Sequence, residues 1–197
     1  MSDVLPDDGQ LVSAAQRGDQ RAFGTLVERY QDRVYNTLLR VLGSREDALD
    51  VVQEALVQAY VSLGSFRGES QFYTWLYRIA MNLALSHRRR CRRPGRLAVS
   101  AEEVKHRVGD EPVSKQPAPI AGLIQAERAQ IVQHALAEMG DSHCQILVLR
   151  EMEECSYEQI AEILELPVGT VRSRLFRARV QLKEKLRELM PDEVDLL

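Results

Sequence analysis

Apolar positions recur along this chain with the 3.6-residue period of a helix almost from end to end. Phe23, Leu26, Val27, Tyr30, Val34, Leu38 and Leu42 fall at i, i+3, i+4 and i+7 spacing, with Asp19 placed as an N-cap and Gly43 as a C-terminal stop. A second helix follows Ser44, which with Asp47 makes an acidic variant of the capping box. Its apolar side is Ala48, Val51, Val52, Ala55, Leu56, Ala59 and Leu63. A third helix runs from about Ser70 to Arg90, with Phe72, Leu76, Ile79 and Leu83 as its core face. Between Arg93 and Ala121 the period stops, and four of the seven prolines gather there, the composition of a flexible, partly extended linker. The period resumes near Gly122 and continues to about Leu189, and no strand-like alternation of any length interrupts it. The expectation is an all-α protein. It has a tail at 1–9, a helical domain at 10–93, a linker at 94–121, a second helical domain at 122–190 and a tail at 191–197.

The second domain carries the plainest motif. Ser156-Tyr157-Glu158-Gln159 is a full capping box opening a short helix, Tyr157 to Leu164, that should bury Ile160, Ala161 and Leu164. Glu165 to Gly169 is a tight break in which Pro167 suits a helix start, and a long basic helix follows from about Val168 to Leu189. Two helices so joined form the helix-turn-helix pattern. Val171, Leu175, Ala178 and Leu182 make the buried stripe of the second helix. Thr170, Ser173, Phe176 and Arg177 point away from it, with Arg172 and Arg174 on the shoulders. Arg pairs bidentately with guanine, Ser and Thr reach phosphates or base edges, and Phe176 suits a thymine methyl or a partner surface. A bundle helix with a merely solvated basic face is the plain alternative. The preceding turn favours DNA.

Charge sharpens that reading. The net charge of −3 hides two basic islands: Phe66 to Ser100 holds eight Arg and one Glu, and Pro167 to Met190 holds seven Lys or Arg and two Glu. The rest of the chain is strongly acidic. Two basic islands on separate domains suit a polyanion better than they suit solubility. No apolar run reaches the roughly 18 residues of a membrane span. The first ten residues carry Asp3, Asp7 and Asp8 and no apolar core, so no secretory signal is expected. Three cysteines at irregular spacing (Cys91, Cys144, Cys155) suggest a reduced, cytoplasmic protein without a disulfide framework.

In the third helix, Trp75, Arg78 and Asn82 share one shoulder, while Tyr73 and Tyr77 share the other. Aromatics interleaved with Arg, followed by Arg88, Arg89, Arg90, Arg92 and Arg93, suit unstacked bases and a phosphate backbone. The same aromatics suit a core, and periodicity leaves both readings open. On the second helix Asp47, Asp50 and Glu54 lie within about 60° of one another, opposite the apolar side, with Gln53 nearby. That stripe either docks a basic or polar partner or is simply solvated.

Asp47 to Glu54, Phe66 to Asn82 and Ser156 to Arg179 together resemble regions 2 and 4 of the extracytoplasmic-function sigma factors, compact bacterial factors of the sigma-70 type. The resemblance covers nearly the whole chain outside the tails and linker, and the middle block is its most specific part. It implies that Asp47, Asp50, Gln53 and Glu54 bind the clamp helices of the RNA polymerase β′ subunit. It implies that the loop Phe66 to Gln71, including Arg67, Ser70 and Gln71, holds a flipped base of the −10 element. Tyr73, Trp75, Arg78 and Asn82 would support strand opening. Thr170, Arg172, Ser173, Arg174, Phe176 and Arg177 would read the −35 element, with Ser156 and Tyr157 near phosphates. The resemblance further implies contact with the polymerase β flap, a linker threading toward the RNA exit channel, an anti-sigma factor as partner, and a monomer when free. Residues 191–197 leave no expected added domain to regulate it in cis.

Other functions fit less of the chain. No carboxylate pairs with a histidine in a catalytic order, no Gly-rich phosphate loop is present, and His143, Cys144 and Cys155 match no zinc spacing. Neither catalysis, a metal nor a cofactor is expected, and His87 and His106 are expected to be solvated. A dimeric helix-turn-helix regulator would account for Pro167 to Met190 but not for the acidic helix or the Trp75 block. A protein that only sequesters another factor would leave both basic surfaces unused.

Overall fold

Helix boundaries in the computed structural model follow from side chains that cap them. The structure describes residues 6–91 and 120–190, with side chains of the second segment described from 127 onward. Asp7 caps α1 (Asp8–Gln16) by accepting from Gln10 N at 2.7 Å, and Asp19 caps α2 (Gln20–Leu42) by accepting from Arg21 N and Ala22 N. Gly43 closes α2 at φ 72°, a left-handed turn that a side chain would strain. Ser44 caps α3 (Arg45–Ser62). A 3-10 turn at Leu63–Ser65 and a loop lead to α4 (Phe72–Cys91). The second segment holds α5 (Ile120–Glu138), α6 (Asp141–Leu147), a π-helical turn at Val148–Met152, α7 (Tyr157–Ile163) and α8 (Val168–Leu189). Among the described residues there is no strand, and no helix is long and apolar enough to cross a membrane.

The all-α expectation holds, with local departures. The periodicity predicts no helix before Asp19, yet α1 forms there on a good cap and three buried apolar residues, Leu11, Val12 and Ala15. The third helix starts two residues late, at Phe72. In α7 it is Ile160 and Ile163 that are buried, while Ala161 and Leu164 are only partly covered. The linker expectation falls on 94–121, largely outside the described residues, as do Arg92, Arg93 and His106.

Helix α4 organises the molecule. It packs on α2 and α3 from its own domain and on α6 and α7 from the other. Buried side chains from both domains form one continuous cluster, running from Leu26, Leu38 and Leu76 to Ile146, Ile160 and Leu175. A tethered pair of domains would not need this. Apolar stripes predict which residues are inside and not what they meet, so the sequence predicts no contact between the domains.

Candidate nucleic-acid interface

The helix-turn-helix is built locally. Ser156 N donates to Gln159 Oε1 at 2.8 Å and Gln159 N donates back to Ser156 Oγ at 3.1 Å, so both capping-box bonds form. Leu166 N then donates to Ala161 O at 2.8 Å across a turn whose Glu165 has φ 53°, and Thr170 N bonds Pro167 O at 2.8 Å to start α8. Val171, Leu175 and Ala178 are fully buried, and this presents Arg172, Ser173, Phe176 and Arg177 to solvent. Phe176 is 69% exposed, an apolar ring held out where only a ligand would cover it. Arg174 and Thr170 are half-buried on the flank. Tyr157 lies under two guanidiniums, Arg150 at 5.2 Å and Arg172 at 5.8 Å from its centroid. Arg150, held by Cys155 O at 2.8 Å, joins this basic face although its sequence neighbourhood is acidic. Ser156 is committed to its cap.

A second surface, of mixed charge, surrounds the loop before α4. Phe66, Phe72 and Trp75 pack ring against ring with centroids 5.1–6.1 Å apart, and Tyr30 adds a fourth ring at 5.8 Å from Phe72. Trp75 is 7% exposed and Tyr77 1% exposed, so of the two readings that periodicity left open both rings take the core one. Trp75 is a wall of the surface and not an open stacking face. Arg67, Glu69 and Gln71 are exposed, Ser70 is half-buried, and Gly68 turns the loop at φ 73°. One cleft of about 350 Å³ lies between this loop and Val12, Ser13 and Gln16 of α1; another of about 260 Å³ runs along Arg67, Ser70, Trp75 and Arg78. Gln16 fixes the loop's entry, its amide donating to Leu63 O at 3.0 Å and Phe66 O at 2.8 Å. Nothing local in the sequence marks Gln16 for this role. Asn82 is exposed, and Tyr73 is half-buried under Arg33, 5.8 Å from its centroid.

Two members of the basic run do other work. Arg88, expected among the phosphate-facing arginines, is 8% exposed and donates to Val41 O (2.8 Å), Ala137 O (3.3 Å) and Met139 O (3.2 Å) while pairing with Asp141 at 2.8 Å. It faces inward because α4 is covered on that side by the second domain. His87, expected in solvent, lies 3.4 Å from Asp47. Arg89 and Arg90 stay exposed.

The third surface is the outer face of α3. Asp50, Gln53 and Glu54 are exposed there, whereas Asp47 is half-buried beside His87. The face continues into Val57 (64% exposed) and Val61 (78% exposed), with Leu49 and Tyr60 at its edges. These valines were legible in the sequence: they stand seven and eleven residues after Asp50, outside the stripe from Ala48 to Leu63. Carboxylates at one end and bare apolar side chains at the other are the chemistry that a protein partner could cover.

Residues 26–94 match the sigma-70 region 2 family and residues 129–182 the sigma-70 region 4 family. The RNA polymerase sigma-H factor of Pseudomonas aeruginosa is 42% identical over 184 residues, covering 93% of this chain and 95% of that protein. The ECF RNA polymerase sigma-E factor of Escherichia coli strain K12 is 42% identical over 191 residues, covering 96% and 99%. Among solved structures, CnrH in complex with the cytosolic domain of CnrY aligns with TM-score 0.66 and 25% identity over 92% of this chain and 97% of that one. The sigma factor RpoE in complex with the anti-sigma factor NepR from Bartonella quintana shares the fold, with TM-score 0.64 at 22% identity over 84% and 96%.

Proposed function

The chain belongs to the extracytoplasmic-function sigma factors of the sigma-70 type, and from that premise we propose that it binds core RNA polymerase in the cytoplasm and directs initiation at a dedicated set of promoters in an inducible stress or envelope response. The observation that carries the reading is the coincidence of three surfaces on one chain: a basic recognition helix, an aromatic-walled loop carrying Arg67 beside Arg78, and an acidic-apolar helix face. Phosphodiester chemistry belongs to the polymerase. This chain contributes recognition and positioning.

In this reading Asp50, Gln53, Glu54, Val57 and Val61 dock on the β′ clamp helices, with Asp47 at the rim. Arg172, Ser173, Arg174, Phe176 and Arg177 read the −35 element in the major groove, with Thr170, Ser156 and Tyr157 near its phosphates. The loop Arg67–Gln71 takes a base of the −10 element out of the stack. Extruding a base costs a few kcal/mol, which a fitted pocket beside the Phe66–Trp75 wall offsets. Tyr73, Arg78 and Asn82 hold the opened strand, Trp75 supporting them from beneath. An anti-sigma factor and the β flap complete the set of partners.

The test is to mix the purified chain with core polymerase lacking any sigma factor and to map transcripts from genomic fragments. A one-to-one complex and start sites that appear only with this chain are expected. Tight DNA binding without polymerase association would leave a helix-turn-helix regulator instead.

A further inference from the structure

The three cysteines of the chain differ in their surroundings. Cys144 and Cys155 are buried in the second domain. Burial pushes the Cys155 thiol up to about 11, and the Glu153 carboxylate beside it adds to the push. Glu153 is itself fixed by donors of the first domain: Arg33 Nε at 2.8 Å and the hydroxyls of Thr37 and Tyr77 at 2.6 and 3.0 Å. Neither buried thiol is open to a reagent. Cys91, the last residue of α4, is exposed.

Cys91 also has company that the other two lack. His87 stands one helical turn before it on the same face of α4, and His87 Nδ1 lies 3.7 Å from Cys91 Sγ. Across the contact between α3 and α4, Asp47 Oδ1 lies 3.4 Å from the other ring nitrogen, Nε2. Asp47 is placed by the start of α3, where its backbone N donates to the Ser44 cap at 3.3 Å. Both side chains are half-buried, so the packing of two helices holds the ring where it is. A carboxylate on Nε2 keeps the proton on that nitrogen and leaves the Nδ1 lone pair turned toward the thiol. Nucleophile, base and orienting carboxylate thus stand in contact order, the arrangement that activates a cysteine. The surrounding charge selects a reagent. Five arginines stand within three positions of Cys91 in the sequence, Arg88, Arg89, Arg90, Arg92 and Arg93. Arg88 is turned inward onto Asp141, while Arg89 and Arg90 are exposed and draw anions.

We infer that Cys91 is a site of reversible S-thiolation by a small disulfide carrying carboxylates, with His87 accepting the thiol proton and Asp47 positioning His87. The Cys91 sulfur attacks one sulfur of the disulfide, and the new S–S bond forms as the old one breaks. The thiol proton passes to His87 Nδ1 and then to the departing thiolate. One thiol and one disulfide are consumed, one mixed disulfide and one thiol are formed, and no other oxidant enters. The adduct sets bulk and carboxylates beside Asp47, one turn of α3 before Asp50. On the sigma-factor reading, on which this consequence rests, that is the rim of the polymerase-docking face, and the adduct weakens docking.

The full chain is incubated with glutathione disulfide at neutral pH, and adducts are located by peptide mass spectrometry without reduction. We expect the adduct on Cys91 and not on Cys144 or Cys155. His87→Gln should slow it roughly tenfold and Asp47→Asn several-fold, with helical circular dichroism unchanged. Asp47→Glu, which keeps a carboxylate, should recover most of the rate. A packing role predicts the reverse order, because Asn is the isostere of Asp. Cystamine, a disulfide bearing amines, should react more slowly once each rate is divided by that of a neutral cysteine peptide, and salt should narrow the gap. Adducts forming as fast on His87→Gln as on wild type would overturn the role of the base. Equal or faster reaction at Cys144 or Cys155 would overturn the site, and a preference for cystamine would overturn the anionic class. Should His87→Gln lose helicity, the order of the two Asp47 variants decides. Core polymerase binding is then compared between the adduct and the same protein after reduction. The adduct should bind several-fold more weakly, a difference absent from Cys91→Ser treated alike, and equal binding would overturn the coupling to docking. Failure of the unmodified chain to bind polymerase would count against the sigma-factor reading and leave the thiol assay standing.

Discussion

Helices α4 and α8 look alike on paper and differ in the folded chain. Both are about twenty residues long, basic and amphipathic, with an aromatic off the apolar stripe: Trp75 in one, Phe176 in the other. Phe176 is 69% exposed and Trp75 7%. The difference lies in their neighbours. Helix α8 packs through one stripe on α5, α6 and α7, so its other face stays in water, whereas α4 is covered by helices of both domains. A side chain off the stripe is thus displayed on a peripheral helix and buried on a central one. In the proposed function the solvent face of α8 reads DNA directly, whereas on α4 only the edges, at Tyr73, Arg78 and Asn82, and the loop that precedes it are left to do so.

Substitutions at matched positions break this comparison most sharply. Trp75→Ala should cost about 3–5 kcal/mol of folding stability in urea denaturation, because it empties a ring cluster, while Phe176→Ala should stay within about 1 kcal/mol. Arg88→Ala, which removes a buried donor shared by three carbonyls and Asp141, should cost about 3 kcal/mol, against about 0.5 kcal/mol for Arg89→Ala one residue on. Arg172→Ala or Arg174→Ala should weaken −35 binding by about 1–3 kcal/mol wherever the residue makes a bidentate base contact, in a DNA titration at fixed salt, with the urea midpoint unmoved. Asp50→Arg should cost more than about 1 kcal/mol in core polymerase binding and leave duplex DNA affinity alone. Equal polymerase binding would remove α3 from the docking role. The smallest effect is expected at Gln16→Leu, about 1 kcal/mol in stability, with base discrimination at −10 reduced more than affinity because the loop loses its two anchors.

Much of this was legible residue by residue. Caps at Asp19, Ser44 and Ser156, the stop at Gly43, and the stripe Val171–Leu175–Ala178 all depend on side chains within a few positions of one another. Local spacing therefore predicts them. The exposed arginines of α8 follow from the same stripe, and Val57 and Val61 could have been found by extending the wheel of α3. Gln16, Arg33, Arg88 and Glu153 could not. Their side chains hydrogen-bond to residues 47 or more positions away, and each belongs to a residue type that reads as surface until a partner is brought to it.

By itself, then, the amino-acid sequence determined helices, their ends, their inward faces and, through three blocks of residues, the family. Tertiary structure alone decided which inward faces meet. It buried Trp75 and Arg88, gave His87 a carboxylate, and drew Glu153 out of an acidic run into a pocket of donors from the other domain. The physical reason is range: capping and periodicity act over one or two turns of helix, whereas a buried charge is tolerated only where distant segments supply its hydrogen bonds together.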